Sequence, residues 1–426
     1  MATESVLTPP STENEARRER QAREGLDLAL RRLSEHGAVG ILALEARFLA
    51  EIEGRHGHAA WRRATETLVD LTRQSLEGHL LPCDMVLAGD VRMDELLVLF
   101  FRPRTSLRFF VDVLPTLPNA LSRFLLAHRS RIGHGPGGTL SSLPVGHALV
   151  LHNPSAQLRR EFEIGVSRAR ADGELFQRLT EKSRRHELTR MILGRDMEIV
   201  YQPILELGER RVLGYEALLR VPADGVWLSP DDVFRTAERE GMIFELDVAC
   251  RMAGLRGVRN RLRHDERLFL NTVPSAIHDP RFQRDQFGHL LASCGLEPRQ
   301  IVVELSERSC QQNLRAVREA RERLRALGIS VALDDIGNSP ASISTLMDLD
   351  PEFVKIDIAL VRSSDTDEAR QRLVRAVQDT VEAIGATSIA EGIETEAELE
   401  ALRRLGVQWG QGFLLGRPAR IPAGQG

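Results

Sequence analysis

Lysine is nearly missing from this chain of 426 residues: of its 57 basic side chains only Lys182 and Lys355 are lysines, and all the others are arginine. Cysteine is almost as scarce. Cys83, Cys250, Cys294 and Cys310 are scattered without C-x-x-C spacing, which argues against a disulfide scaffold or zinc ribbon and suits a reducing cytoplasm. No apolar run approaches the roughly 18 residues that a membrane span needs; residues 96–101 are about the longest, and Arg102 ends them. Residues 1–20 are polar and lack an apolar segment followed by a small-residue cleavage site, so the expected location is cytoplasmic, with no membrane contact. A formal charge of −4 leaves no basic excess, which disfavours DNA or generic nucleic-acid binding. No G-x-S-x-G supports Ser-His-Asp catalysis, and Gly133–Gly138 lacks the Gly-Lys-Ser/Thr ending of a phosphate loop.

What remains is an ordinary globular composition, 42% hydrophobic and 28% charged. Residues 1–36 read as a disordered tail to about residue 14 and then a helix over 15–35. A smaller α+β domain follows over 37–175, with strands at 39–44, 95–101 and 145–151 and helices at 47–53, 59–77 and 106–129. Arg102, Arg104 and Arg108 read as a solvated face. A long polar helix over about 155–193 leads out, its part 176–194 forming a linker. Over 195–422 short β-branched runs alternate with amphipathic helices, which predicts a parallel sheet; at this length a (β/α)₈ TIM-type barrel leads, with an open doubly wound sheet as the alternative.

Catalytic groups of such a barrel stand at the C-terminal ends of its strands. The predicted ends here carry Glu216, Asn271, Glu304, Asp334 with Asp335, Lys355, and Glu391 with Glu394. Carboxylates brought to one mouth repel one another unless a cation lies between them. Oxygen ligands without His or Cys point to Mg²⁺ or Mn²⁺, and two adjacent aspartates can bridge a metal pair for in-line displacement at phosphorus. An ammonium is a compact point charge that can orient water or shed a proton, which a guanidinium does not do. One of two lysines at a strand end therefore points to a need for the amine.

Seven motifs then resemble, in order and spacing, the EAL domain of cyclic di-GMP phosphodiesterases. They are Tyr201-Gln-Pro-Ile204, Glu216-Ala-Leu-Leu-Arg220, Glu304-Leu-Ser-Glu307, Asp334-Asp-Ile-Gly337, Lys355-Ile-Asp357, Ala390-Glu-Gly-Ile-Glu-Thr395 and Gln411-Gly-Phe-Leu414. The resemblance covers about residues 197–418. It implies a (β/α)₈ barrel that hydrolyses cyclic di-GMP to linear pGpG with two Mg²⁺ or Mn²⁺ ions. It further implies Glu216, Asn271, Glu304, Asp334 and Asp335 as metal ligands, Glu391 as ligand or general base, and Lys355 holding the attacking water. Glu307 becomes the anchor of the loop after Asp335. Glu394 and Gln411 would line the metal and substrate site, while Gln202 and Arg220 would contact the dinucleotide. Two departures stand out. The family's Phe-Gly-Thr-Gly-Tyr-Ser-Ser is Ile336-Gly-Asn-Ser-Pro-Ala-Ser342 here, and its Asn-x-Ser is Asn271-Thr-Val273; Ser339 and Pro340 restrict the backbone.

Residues 41–48, 57–60, 84–100, 145–151 and 161–173 follow the layout of a GGDEF (diguanylate cyclase) domain. Arg92-Met-Asp-Glu-Leu96 stands in place of Gly-Gly-Asp-Glu-Phe, and Leu44 and Ala46 stand where metal-binding aspartates belong. Leu81 replaces the Arg of the product-inhibition motif. This pattern implies a degenerate GGDEF-like domain kept for regulation or dimerisation. The rival reading is a non-catalytic cyclic di-GMP receptor signalling through that domain to a protein partner whose identity the residues do not give. A homodimer is expected from the family alone.

Overall fold

The computed structural model describes residues 11–88, 94–132, 143–194, 197–222, 226–227, 229–274, 284–307, 310, 314–337 and 342–421. They fall into two units, Met1–Arg184 and Arg185–Gly426. The expected tail, the stretch Gly133–Gly138, Arg92 with Met93, and residues 338–341 of the altered motif lie wholly or partly outside the described residues.

In the first unit a helix, α1 (Ser11–His36), precedes β1 (Ala38–Glu45). Helices α2 (Phe48–His56) and α3 (His58–Ser75) lead to β2 (Met85–Ala88) and β3 (Glu95–Phe101). Helix α4 (Leu117–Ala127) then leads to β4 (Val145–Leu151) and to α5 (Leu158–Gly194). The sheet is antiparallel throughout, in the order β2-β3-β1-β4, a split β-α-β-β-α-β arrangement. Central strands β1 and β3 are buried almost end to end, which their unbroken apolar runs require. They pack on α1 and α5 through Leu33, Ile41, Leu97, Leu99, Phe162 and Val166.

Two expectations for this unit change. Residues 106–129 are not one helix: a π turn (Phe109–Val113) and a 3₁₀ turn (Leu114–Thr116) precede α4, because Pro115 and Pro118 supply no N–H to the helical ladder. Arg102 is not solvated. It is buried, and its guanidinium donates to Asp84 Oδ1 and Oδ2 at 2.6 and 2.8 Å and to the carbonyls of His79 and Phe101. Paired in this way, a buried charge is tolerated.

The second unit is a closed barrel of β5 (Glu198–Glu206), β6 (Val212–Arg220), β7 (Arg267–Asn271), β8 (Ile301–Ser306), β9 (Ser330–Ile336), β10 (Phe353–Ile356), β11 (Thr387–Ala390) and β12 (Trp409–Gly410). Around it lie α6 (Pro230–Arg239), α7 (Ile243–Gly257), α8 (Arg284–Ser293), α9 (Leu314–Ala326), α10 (Ser342–Leu349), α11 (Ile358–Val361), α12 (Glu368–Ala383) and α13 (Glu396–Arg404). The barrel is not wholly parallel: β5 runs antiparallel to β6 and β12. Only five residues join β5 to β6, too few for the crossover that parallel strands need. The last strand is also shorter than the run at 410–415 suggests. A Cβ on Gly412 would stand 2.1 Å from the Ile393 carbonyl oxygen, so the chain turns there against the preceding loop.

Ile204, Phe269, Val302, Ala332, Phe353 and Ile389, one from each of six strands, fill the barrel axis. Their neighbours Leu268, Leu270, Val303, Val331, Leu333 and Val354 pack outward on the helices. Side chains alternate along a strand, so the residue two positions beyond each axial residue also faces the lumen, one layer nearer the mouth. On the parallel strands those positions are Asn271, Glu304, Asp334, Lys355 and Glu391. Glu216 follows Gly214 in the same way.

Candidate active site

One ammonium organises that upper layer. Lys355 Nζ is 2.7 Å from Glu391 Oε1, 3.0 Å from Glu304 Oε1, and 3.4 Å from both Glu216 Oε2 and Asp334 Oδ1. Lys355 is 1% exposed. Burial alone would lower its pKa, but the four carboxylates hold it well above the ordinary lysine value.

The carboxylates divide. Burial opposes ionisation of Glu216, yet Lys355 and the amides of Gln411 and Asn271 hold it below the usual range. Asn271 Nδ2 donates to its Oε1 at 2.9 Å and Gln411 Nε2 to its Oε2 at 2.6 Å. Glu304 is pushed well above its usual value by burial and by Glu216, and Lys355 only partly offsets this. Although 3.0 Å from the ammonium, neither Glu304 oxygen receives a directed hydrogen bond from the described residues. Burial raises Asp334 as well, and raises Glu391 to about 8. Asp335 rises to about 7 through burial and its neighbours Asp334 and Asp357.

Asp335 sits at φ 63°, a left-handed conformation costly for a residue other than glycine. The pairing of β9 with β10 shifts register at that level. One oxygen from each of Asp334, Asp335 and Glu391 lies within 4.8 Å of the others. A buried carboxylate without a directed donor, a cluster of oxygens and raised pKa values describe a place that accepts positive charge. The donors are all oxygen, which fits Mg²⁺ or Mn²⁺.

The other expected residues take separate places. Gln202 is buried; it accepts from Gln411 Nε2 at 2.9 Å and donates to the Gly416 carbonyl at 3.0 Å. Glu307, directly after β8, is buried. Glu394 turns to Arg362, 2.8 Å from its Nη2, and is not among the residues grouped around Lys355. Arg220 lines a cavity of about 420 Å³ that also reaches Asn271, Glu304, Phe234, Asp247 and Arg251.

Asp247 and Arg251 are functional candidates that the sequence reading passed over. They form a buried ion pair of 3.0 Å on α7, and Asp247 Oδ1 also accepts the Val273 amide at 2.9 Å. Their signal was two opposite charges four residues apart on the helix face that buries Leu246, Val248 and Leu255. Asp357 closes the Lys355-Ile-Asp357 motif. It is buried, caps α11 through the Ala359 amide and is one of the negative neighbours that raise Asp335.

A barrel of this kind, with carboxylates from several strand ends around a buried amine, defines an acidic site at the mouth of a TIM-type fold. The EAL domain profile matches residues 185–418, and the chain belongs to the EAL domain family. It is 31% identical over 239 residues to the probable cyclic di-GMP phosphodiesterase PdeB of Escherichia coli K12, covering 55% of this chain and 45% of that one. It is 30% identical over 255 residues to the cyclic di-GMP phosphodiesterase NbdA of Pseudomonas aeruginosa, covering 59% and 32%. Among solved structures, the PaMucR phosphodiesterase in complex with c-di-GMP superposes with a TM-score of 0.50 at 28% identity, covering 56% of this chain and 98% of that one. The chain spans less than half the length of these two curated relatives.

Proposed function

We propose that the barrel is a metal-dependent phosphodiesterase that hydrolyses cyclic di-GMP to linear pGpG. The observation that carries this reading is the convergence of Glu216, Glu304, Asp334 and Glu391 within 3.4 Å of one buried ammonium. Glu216, Asn271, Glu304, Asp334, Asp335 and Glu391 would hold two divalent ions, Mg²⁺ or Mn²⁺. Such ions, when bound, supply positive charge that a transferring phosphoryl group needs. Lys355 already donates toward Glu391 at 2.7 Å, and an amine in that position orients a water for attack while Glu391 accepts its proton. Water adds to phosphorus, one ring P–O bond breaks, and the leaving sugar oxygen gains a proton. Arg220 and the cavity wall would hold the dinucleotide, and Gln202 with Gln411 would fix Glu216 rather than reach far into the lumen. Incubation of the full chain with cyclic di-GMP and Mn²⁺ should release pGpG. Tight binding in Ca²⁺ without turnover in Mn²⁺ would instead favour the receptor reading.

For residues 37–175 we infer a degenerate GGDEF-like module, with 176–194 as linker and 195–422 as the EAL barrel. Asp94 and Glu95, which belong to the altered signature, line a cavity of about 110 Å³ in this unit. That cavity is acidic on balance: Glu45, Asp94, Glu95 and Glu174 line it against only Arg47 and Arg170. Glu95 binds Arg170 through two contacts of 2.5 and 2.7 Å, and Glu45 binds Arg47 at 2.6 Å. A nucleoside triphosphate would meet an excess of carboxylates there and guanidinium groups already tied to Glu95 and Glu45, so GTP turnover should be undetectable. The last turns of α5 pack Leu188 and Met191 against Leu219, Val233 and Leu246, close to the walls of the barrel cavity. We infer a regulatory role for the module from its altered signature residues, Leu44 and Ala46 among them. A homodimer and a regulatory protein partner, both in the cytoplasm, complete the proposal, and light scattering with and without cyclic di-GMP tests the dimer.

A further inference from the structure

Lys355 in β10 and Glu391 directly after β11 are opposite halves of the closest charged contact in the site, and a loop follows each. The strand ends are joined by the Glu391 amide donating to the Ile356 carbonyl at 3.0 Å. Beyond that point no shared strand pairing holds the loops together, yet they stay interlocked: a Cβ on Gly392 would stand 2.3 Å from Ile358. The far ends meet on one side chain, Glu398 in the first turn of α13, which is 6% exposed. Its Oε2 accepts the amides of Glu394 at 3.0 Å and Thr395 at 3.1 Å, and its Oε1 accepts the amide of Ser363 at 3.2 Å. The exposed Arg362–Glu394 pair, at 2.8 Å, adds a second tie between the same two segments.

Half of this arrangement is an ordinary capping box, Thr395 and Glu398 exchanging bonds with each other's amides at the start of α13. A cap needs only the bond to Thr395. The additional bonds to Glu394 and to Ser363, 35 residues away in sequence, are more than helix capping requires. A carboxylate buried with three backbone donors is strongly held, since charge-assisted bonds are stronger than neutral ones. We propose that Glu398 is a positioning residue of the candidate active site, clamping the loop that follows Lys355 to the loop that follows Glu391 and so fixing the spacing of that pair. The inference rests on the phosphodiesterase reading for its kinetic consequence, though not for its geometry.

The test uses the full chain with Glu398→Ala, Glu398→Gln and, as a control that removes only a capping hydroxyl, Thr395→Ala. Hydrogen exchange should rise by about tenfold or more in peptides covering both 356–364 and 391–396 in Glu398→Ala, while 212–220 stays unchanged. With cyclic di-GMP and Mn²⁺, kcat should fall by about tenfold or more, because small displacements of reacting groups are costly. Affinity in Ca²⁺ should change by less than about threefold. Glu398→Gln, which keeps one acceptor oxygen, should recover part of the loss, and Thr395→Ala should keep the kcat of the parent. Unchanged exchange in either loop overturns the clamp, as does a fall in kcat shared equally by Thr395→Ala, which would reduce Glu398 to a helix cap. If the parent chain shows no turnover, the phosphodiesterase reading fails, and the exchange result alone decides the clamp.

Discussion

Replacing Lys355 by Met removes one charge and keeps nearly the same volume, so the cavity left behind is small. What is lost is electrostatic. The ammonium stands 2.7–3.4 Å from four carboxylate oxygens and is 1% exposed. With an effective dielectric constant near 20, each contact is worth roughly 5 kcal/mol in isolation. The cost of burying those charges offsets most of this, and breaking a buried pair typically costs about 3–5 kcal/mol. For a unit of this size, about 4 kcal/mol corresponds to a fall in Tm of roughly 8–16 °C. Differential scanning calorimetry at pH 8 in EDTA measures it directly. Mn²⁺ then supplies the second half of the argument. If the lysine is the internal counter-ion of the cluster, the ion should stabilise Lys355→Met more than the parent, because in the variant it meets carboxylates with no compensating charge. A Tm within about 2 °C of the parent in EDTA would refute the reasoning. So would a large fall that Mn²⁺ repairs no better than it stabilises the parent.

Acid should stabilise the metal-free barrel. The pKa values of Asp335 and Glu391, about 7 and about 8 in the folded chain, lie above the ordinary carboxylate range. The folded state therefore holds more protons than the unfolded one; this contribution is complete below the unfolded value near 4 and is lost as pH rises through 7–8. Thermal unfolding in EDTA should show Tm falling from pH 5 to pH 9, and Mn²⁺ should flatten that slope. Asp334→Asn should weaken Mn²⁺ binding, followed by calorimetric titration, and lower pGpG release by about a hundredfold. Arg102→Ala leaves Asp84 buried without its partner. It should destabilise the first unit by about 3–5 kcal/mol, seen as an earlier first transition in calorimetry with the barrel transition unmoved.

The site was legible because a closed barrel turns strand periodicity into depth. Once Phe269, Val302, Ala332, Phe353 and Ile389 are recognised as axial, adding two residues gives Asn271, Glu304, Asp334, Lys355 and Glu391 without any further information. The direction of β5 was not legible from alternation, since a run of β-branched residues reads the same both ways; only the five-residue link to β6 disclosed it. Arg102 misled for a related reason. Its neighbours Arg104 and Arg108 are surface residues, and nothing local announces that Asp84, 18 residues earlier, closes around it. Asp247 with Val273, and Glu398 with Ser363, are similar: each residue type is plain in sequence, but its role comes from a partner that only the fold brings near.

The scarcity of lysine takes its meaning from the same geometry. Arg102–Asp84, Arg170–Glu95 and Arg251–Asp247 each meet one carboxylate with the planar fork of arginine. At Lys355 four carboxylates surround the cation from four different strands. A planar fork can face one or two of them edge-on and would have to push the rest apart, whereas a compact ammonium has three rotatable donors and no preferred plane. Lys355→Arg is therefore not conservative here. It keeps the charge yet should lose turnover nearly as completely as Lys355→Met, while retaining more of the stability that the charge provides. If Lys355→Arg released pGpG at the parent rate, the shape of the cation would be irrelevant, and the amine could not be the group that sets the water.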